Sequence, residues 1–160
     1  MQSTTRKAAM QSLNELLEQS AARFGARRFA VDSASGAELS FSALQEQAAS
    51  VGAALQQRLA IAPGRHVALL LPNCLELLPA YFGILRAGCV AVPINARLKA
   101  EELQFILSDC EAEAVFVHPA TWKPAQQALA ALNWRKPIVR YSARTFHASA
   151  RIGLARMSIA

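Results

Sequence analysis

The stretch that decides the fold runs from residue 67 to residue 117 and reads VALLLPNCLELLPAYFGILRAGCVAVPINARLKAEELQFILSDCEAEAVFV. Together with the preceding histidine it opens on a continuous apolar run, HVALLL (66–71), which is typical of a strand covered on both faces. Two further runs, CVAVPI (89–94) and AVFVH (114–118), predict a second and a third strand. The spacing leaves room for one helix between each of these strands and the next.

The segments between these strands have helical features. Residues 74–88 predict a helix with Asn73 as its N-cap and Gly88 as its stop. Pro79 lies inside this helix, where its ring should either kink the helix or mark a late start. The next segment places apolar side chains at the spacing i, i+3, i+4, i+7, which predicts an amphipathic helix. These side chains are Leu103, Ile106, Leu107 and Cys110.

Upstream of this stretch, two capping boxes of the form Ser-x-x-Glu/Gln predict helix starts. The first joins Ser12 to Glu15, and Gly25 supplies the stop of that helix. The second joins Ser42 to Gln45. Behind the second box, one helical face carries Leu44, Ala48, Val51, Leu55 and Leu59.

The remaining elements complete an alternating pattern. RRFAVD (27–32) and AELSF (37–41) are short strand candidates around SASG (33–36), which predicts a hairpin. Residues 124–134 predict a further helix and residues 136–141 a fourth strand of the main series. Strands alternating with helices predict an α/β fold, a partial open sheet of parallel βαβ units with flanking helices.

Length and composition indicate which classes of protein fit this sequence. A length of 160 residues is typical of one domain, and a hydrophobic fraction of 53% argues against disorder throughout. No window approaches about 20 uninterrupted apolar residues, so an integral membrane protein is not expected. The first twelve residues lack the apolar core of a signal peptide, so we expect a cytoplasmic location.

The excess of positive over negative charge lies at the end of the chain. The net charge is +6, and residues 121–160 carry seven Lys or Arg and no acidic residue. We therefore divide the chain into residues 1–141 and a basic tail, 142–160, expected to be irregular and poorly ordered. Such a tail attracts nucleic acid or anionic lipid, and this stays an alternative. Because residues 121–160 lack the spaced aromatics of a stacking platform, no nucleic-acid partner is expected.

Cysteines and histidines are scattered. Cys74, Cys89 and Cys110 are odd in number and lie in apolar segments, as expected of reduced core residues. The three histidines, His66, His118 and His147, are also scattered along the chain, and no Cys-x-x-Cys or Cys/His ligand spacing occurs. We therefore predict no metal-binding residue.

Open parallel sheets bind ligands beyond the carboxyl ends of their strands. The segments that follow the three strands contain five polar residues able to touch a ligand there. These are Asn73, Asn95, Arg97, His118 and Thr121. The competing interpretation is that Asn73 and Asn95 cap helices, and we expect that structural role.

A phosphate cradle requires closely spaced glycines, which let backbone N–H groups approach the anion. The chain has seven glycines, and no two are closer than five residues. Neither GxGxxG nor GxxxxGK[ST] occurs, and GxSxG and HExxH are also absent. Glu101 and Glu102 are adjacent and point to different faces of a helix. The sequence therefore assigns no catalytic, cofactor-binding or metal-binding residue.

Two segments resemble a known family. LSFSAL (39–44) resembles the first core motif of the adenylate-forming synthetases, which include AMP-forming acyl-CoA synthetases, firefly luciferase and peptide-synthetase adenylation domains. The stretch 67–117 is similar to the next conserved block of that family nearly end to end, so the resemblance covers roughly residues 13–117. It implies the amino-terminal subdomain of the adenylate-forming fold. It also implies a family reaction in which a small carboxylic acid and ATP give an acyl-adenylate and then an acyl-CoA.

The resemblance implies ATP, Mg²⁺ and coenzyme A for the full-length enzymes. It places their phosphate loop, ribose-binding aspartate and catalytic lysine far downstream of the matched blocks. Only four threonines occur here, none in a Thr/Ser/Gly-rich loop, so no family catalytic residue can be carried over. We therefore expect an amino-terminal fragment that is inactive alone, needs no cofactor alone, and pairs with the missing remainder or with itself.

Two further expectations concern the identity of the chain. The acid-free sequence after Tyr141 departs from the polar, acidic loop expected at that point, which suggests a frameshifted or otherwise truncated gene. The alternative to an enzyme fragment is a free-standing, non-catalytic module that binds a protein or an acyl ligand.

Overall fold

A computed structural model describes residues 12–140 of the chain. In chain order the elements are α1 Leu13–Phe24, β1 Arg28–Val31, β2 Glu38–Ser40, α2 Phe41–Ala53, a π-helical turn Ala54–Arg58, β3 His66–Leu70, α3 Leu77–Arg86, β4 Val90–Pro93, α4 Ala100–Asp109, β5 Ala114–Val117, a 3-10 turn Pro119–Thr121, α5 Trp122–Ala131 and β6 Ile138–Arg140. The basic tail predicted at 142–160 lies outside the described residues.

The main sheet has four strands in the order β4-β3-β5-β6, and every neighbouring pair is parallel. β1 and β2 form a separate antiparallel hairpin. The α/β class, the βαβ units and the hairpin predicted from the sequence are thus confirmed.

Each face of the sheet is covered by helices, as the unbroken apolar run at 66–71 predicted for its strand. One face packs against α2, the π-helical turn and α3, and its buried residues include Val67, Leu69, Ile84, Phe116 and Val139. The other face packs against α4 and α5, and its buried residues include Leu70, Leu103, Leu107, Val115 and Leu129. Alternation along β3 sends neighbouring side chains into opposite clusters, since successive side chains of a strand point to opposite faces.

Helices α2 and α3 approach so closely that glycine is required at their contact. A Cβ at Gly83 would lie 2.5 Å from Cβ of Val51 and 2.9 Å from the carbonyl oxygen of Ala48. A Cβ at Gly52 would lie 3.1 Å from the carbonyl oxygen of Gly83. The two glycines therefore set the distance between these helices.

The amino-terminal helix matches its prediction. Ser12 Oγ accepts from the backbone N–H of Glu15, and Glu15 Oε2 accepts from the N–H of Ser12, so the capping box is formed. Gly25 ends the helix at φ +50°, in the region that favours glycine. α1, the hairpin, α2 and α3 share a small buried cluster that contains Leu17, Leu39, Leu44, Ala48 and Leu75.

The capping box predicted at Ser42 is wrong. α2 begins two residues earlier, with Ser40 as N-cap, and Ser40 Oγ accepts from the N–H of Ala43 at 3.2 Å. The N–H of Ser42 instead donates to the carbonyl oxygen of Gly25. The helix starts early because β2 runs directly into it, leaving no loop between strand and helix.

The helix predicted at 74–88 also needs correction at its start. α3 begins at Leu77, so Asn73 is not its N-cap; Asn73 is exposed on the bend before the helix. Pro79 is the third residue of α3, where its missing N–H costs no intrahelical hydrogen bond. Of the two outcomes expected for Pro79, a kink or a late start, the late start is confirmed.

Candidate carboxyl-edge site

The carboxyl edge of the sheet is where a ligand site is expected. The chain passes from β3 to β4, which pairs on one side of β3. It then passes from β4 to β5, which pairs on the other side of β3. The gap between the carboxyl ends of β3 and β5 is therefore the topological switch point, the usual ligand crevice of open α/β sheets.

Thr121 and His118 occupy this crevice. The Thr121 side chain is buried, with 3% exposure, and its hydroxyl donates to the carbonyl oxygen of Leu70, the last residue of β3, at 2.7 Å. His118 Nδ1 accepts from the N–H of Ala120 at 3.1 Å, and the N–H of His118 donates to Thr121 Oγ1 at 3.2 Å. Both residues thus complete the backbone hydrogen bonding of the turn that starts α5.

Asn95 and Arg97 lie in the loop between β4 and α4. Asn95 Oδ1 accepts from the N–H of Arg97 at 3.0 Å, which forms a local turn. The N-cap of α4 is Lys99, whose N–H donates to Glu102 Oε2 at 2.8 Å, so the prediction that Asn95 caps a helix is wrong. Asn95 caps the preceding turn instead, and the Arg97 side chain is exposed.

A shallow, open groove lies between the first turns of α4 and α5. Its volume is about 420 Å³. Its lining mixes apolar and charged groups: Leu98, Lys99, Ala100, Glu101, Lys123, Pro124 and Gln127. Lys99 and Lys123 are exposed to solvent. The groove presents exposed charged side chains and no converging set of buried polar atoms.

The hairpin loop SASG binds a carboxylate of its own chain. Asp32 Oδ1 accepts from the N–H of Ala34 at 2.9 Å, from the N–H of Ser35 at 2.8 Å and from Ser35 Oγ at 3.0 Å. These hydrogen bonds, the backbone bond of Ser35 first, hold the pKa of Asp32 below its ordinary value of 3.8. The loop donors that a phosphate would need are therefore already engaged.

The pKa values of the three cysteine thiols are raised, which disfavours the reactive thiolate form. Desolvation, reinforced by Glu76, raises the pKa of the Cys74 thiol to about 11. Burial also raises the pKa of Cys89 and of Cys110. Within residues 12–140, no three His, Cys, Asp or Glu side chains come together as metal ligands, and no helix there has the length and apolarity to cross a membrane.

Comparison with known proteins gives a consistent relationship. The family model for AMP-binding enzymes matches residues 17–150. The long-chain-fatty-acid–CoA ligase of Escherichia coli O157:H7 is 38% identical over 107 residues, which are 67% of this chain and 19% of that protein. The chain thus spans about a fifth of the length of such curated relatives.

Solved structures of related enzymes share the fold. A benzoate CoA ligase from Burkholderia xenovorans LB400 superposes with a TM-score of 0.75 at 22% identity, over 83% of this chain and 26% of that one. The N-terminal domain of FACL13 from Mycobacterium tuberculosis superposes with a TM-score of 0.70 at 32% identity, over 76% of this chain and 31% of that one. The resemblance inferred from the sequence motifs is confirmed, and the match of the family model extends past the boundary predicted at residue 141.

Proposed function

Because the chain belongs to the AMP-binding enzyme family, we propose that it is the amino-terminal part of an AMP-forming acid–CoA ligase and is inactive alone. The whole enzyme would join a carboxylic acid to ATP with release of pyrophosphate, and then transfer the acyl group from AMP to the thiol of coenzyme A. The names of the curated relatives favour a fatty acid as the carboxylic acid.

One observation carries the proposed inactivity: three of the five polar side chains at the carboxyl edge, those of Asn95, His118 and Thr121, hold the chain's own backbone. Thr121 closes the crevice between β3 and β5 through its bond to Leu70, and Asn95 closes a turn. Adenylation requires preorganised donors aimed at the phosphates and at the reacting carboxylate. The described residues supply no such set.

ATP, Mg²⁺ and coenzyme A do not fit the described residues. The glycines with positive φ, Gly25, Gly36, Gly64 and Gly88, are dispersed over separate turns, so they form no phosphate cradle. The small polar loop at 33–36 already wraps Asp32. No carboxylate cluster in residues 12–140 suits Mg²⁺. We assign these groups to the four-fifths of the ligase that this chain does not cover.

The partner in this proposal is that remainder of the ligase, in the cytoplasm. Several large apolar side chains are exposed on the described surface: Leu13 (48%), Leu16 (44%), Val31 (45%), Val90 (44%) and Phe105 (70%). A contiguous exposed apolar patch is typical of a surface that another part of a protein covers, and Leu13 and Leu16 lie one turn apart on α1.

An activity assay tests the proposal. The purified chain is assayed for fatty-acid-dependent ATP–pyrophosphate exchange, alone and mixed with the carboxy-terminal part of the Escherichia coli relative, cut where the matched 107 residues end. We expect no exchange from the chain alone and restored exchange in the mixture. Exchange by the chain alone, above a mock purification from the same host, would refute the proposed inactivity.

The alternative is a free-standing module that binds a protein or an acyl ligand, and the same exposed apolar side chains support it. The two proposals differ in solution behaviour. A fragment lacking its partner surfaces should self-associate as concentration rises, whereas a module selected to act alone should sediment as one monodisperse species. Analytical ultracentrifugation from 5 to about 200 μM separates them.

A further inference from the structure

The outward face of α4 centres on an exposed aromatic side chain. Phe105 is 70% exposed, more than any other large apolar side chain of residues 12–140. Residues three and four positions away on a helix share the same face. Those positions around Phe105 hold four exposed polar residues: Glu101, Glu102, Ser108 and Asp109. The ring therefore stands in water among three carboxylates, whereas Leu103 and Leu107 on the opposite face of the helix are buried.

The negative charge around Phe105 is not balanced within its own part of the chain. Residues 100–122 carry five acidic residues and no Lys or Arg; the acidic residues are Glu101, Glu102, Asp109, Glu111 and Glu113. Within residues 12–140, Glu113 pairs with Lys136 at 3.5 Å, and the other four carboxylates form no salt bridge. Asp109 is the last residue of α4, so its charge adds to the negative end of the helix dipole. This face therefore favours a cationic partner.

The basic tail, 142–160, carries the complementary groups. It contains three arginines and no acidic residue; the arginines are Arg144, Arg151 and Arg156. It also contains five large apolar side chains: Phe146, Ile152, Leu154, Met157 and Ile159. The tail thus supplies both the guanidinium groups and the apolar cover that the face of α4 lacks.

The described chain ends within reach of this face. The Arg140 guanidinium lies 4.0 Å from the ring centroid of Trp122, the first residue of α5. The groove between the first turns of α5 and α4 is lined by Lys123 on one side and by Glu101 on the other. The 19 residues of the tail can extend over about 63–68 Å, whereas α4, with 10 residues, is only about 15 Å long. The tail can therefore cross the groove and cover the helix.

We propose that the basic tail docks on the outward face of α4. Its apolar side chains cover the ring of Phe105, and its arginines pair with Glu101 and Asp109. Arginine suits this role because the planar guanidinium pairs with carboxylates and stacks on aromatic rings. Exposed ion pairs contribute little by themselves, so the docking needs the burial of Phe105 as well as the charges. The docking depends on the composition of the tail and is independent of the proposed function.

Hydroxyl-radical footprinting of the full chain tests the docking. Mass spectrometry of the peptide that contains Phe105 measures how fast the ring is oxidised. One variant reverses the charge of the tail by Arg144→Glu, Arg151→Glu and Arg156→Glu. A second reverses the face by Glu101→Lys and Asp109→Lys, and a third combines both sets. Glu102 is kept, because its carboxylate accepts from the N–H of Lys99 at the start of α4.

The rate of Phe105 oxidation should follow the charge complementarity. We expect oxidation at least about threefold faster than in the parent when either side alone is reversed, because the uncovered ring meets water over most of its surface. In the combined variant the opposite charges are restored, and the rate should return to within about 1.5-fold of the parent. Phe29, 38% exposed on the hairpin, is the internal control and should be oxidised equally in all four chains.

Two further measurements apply even if a reversed variant fails to fold, which circular dichroism melts would detect. In 1 M NaCl the screening length falls to about 3 Å, so Phe105 of the parent should be oxidised faster relative to Phe29. Lysine at the three arginine positions of the tail keeps the charge, and this variant should stay within about twofold of the parent rate.

Contrary outcomes are distinct. Equal oxidation of Phe105 in the parent, in both reversed variants and in high salt overturns the docking, and failure of the combined variant to restore the parent rate overturns the charge pairing. Protection that grows between about 5 and 200 μM would place the tail on α4 of a second copy and overturn docking within one chain. Fast oxidation in the parent, with salt-sensitive binding of a DNA oligonucleotide, would assign the tail to nucleic acid instead. Turnover by the chain alone would refute the proposed inactivity and leave this docking unaffected.

Discussion

Substituting Gly83 with alanine tests the close packing of α2 against α3. The new Cβ would lie 2.5 Å from Cβ and 2.6 Å from Cγ1 of Val51, where carbon atoms in contact prefer about 3.5–4.0 Å. The 2.9 Å contact with the carbonyl oxygen of Ala48 involves backbone, which cannot rotate away. The helices must therefore separate by about 1 Å along their contact.

The expected net loss is about 2 kcal/mol. Overpacking a buried contact costs about 1–3 kcal/mol, and the fixed positions of the opposing atoms favour the upper end. Alanine recovers about 1 kcal/mol through its higher helix propensity. At about 4 °C per kcal/mol for a chain of this size, the melting temperature should fall by about 8 °C.

Urea unfolding followed by circular dichroism measures this loss, and Gly52→Ala is the matched control on the same interface. The Cβ at Gly52 would meet its nearest atoms at 3.1 and 3.3 Å, and the second of these is the Cβ of Arg86. We expect Gly52→Ala to remain within about 1 kcal/mol of the parent. If Gly83→Ala is as stable as the parent, or if Gly52→Ala is the more damaging of the two, the described packing of α2 on α3 is refuted.

Three further predictions concern single side chains. Asp32→Asn should lower the melting temperature at pH 7. The difference from the parent should vanish as the pH falls through the lowered pKa of Asp32, because the loop hydrogen bonds stabilise the charged carboxylate; melts at pH 7 and 2.5 measure this. Thr121→Val should cost about 1–3 kcal/mol in urea unfolding, because it removes the buried hydroxyl that donates to the Leu70 carbonyl and accepts from the N–H of His118. Thr121→Ser should retain most of the stability, and equal losses would contradict these hydrogen bonds. Cys74, with a pKa of about 11, should react with iodoacetamide at pH 8 far more slowly than in the urea-unfolded chain, as mass spectrometry would detect.

The order of elements was predictable because it depends on local patterns. The unbroken apolar run around β3 predicted a strand covered on both faces, and β3 is buried between two helix layers. The Ser12–Glu15 capping box was predictable for the same reason, since both partners lie within one turn. The choice between Ser40 and Ser42 was not, because it depends on where β2 stops pairing with β1.

The position of the candidate site was predictable, but the roles of its residues were only partly so. Parallel topology alone places the segments after β3, β4 and β5 at one edge. Thr121 closes the crevice through an acceptor 51 residues away, and no local pattern contains that pairing. Asn95 was expected to cap a helix but caps a turn. The start of α4 lies four residues later, where the N–H of Lys99 donates to Glu102 Oε2.

The covered faces of the sheet and the engaged polar groups at its carboxyl edge separate folding from catalysis in this chain. Both faces of the sheet are packed by helices from within residues 12–140, so the hydrophobic contribution to stability does not depend on the remainder of a ligase. At the carboxyl edge, the side chains of Asn95, His118 and Thr121 are engaged with the chain's own backbone, so they stabilise the fold instead of facing a substrate. The chain should therefore unfold cooperatively as an independent unit while showing no adenylation, and a chain that gained cooperative unfolding only with the added remainder would contradict this separation.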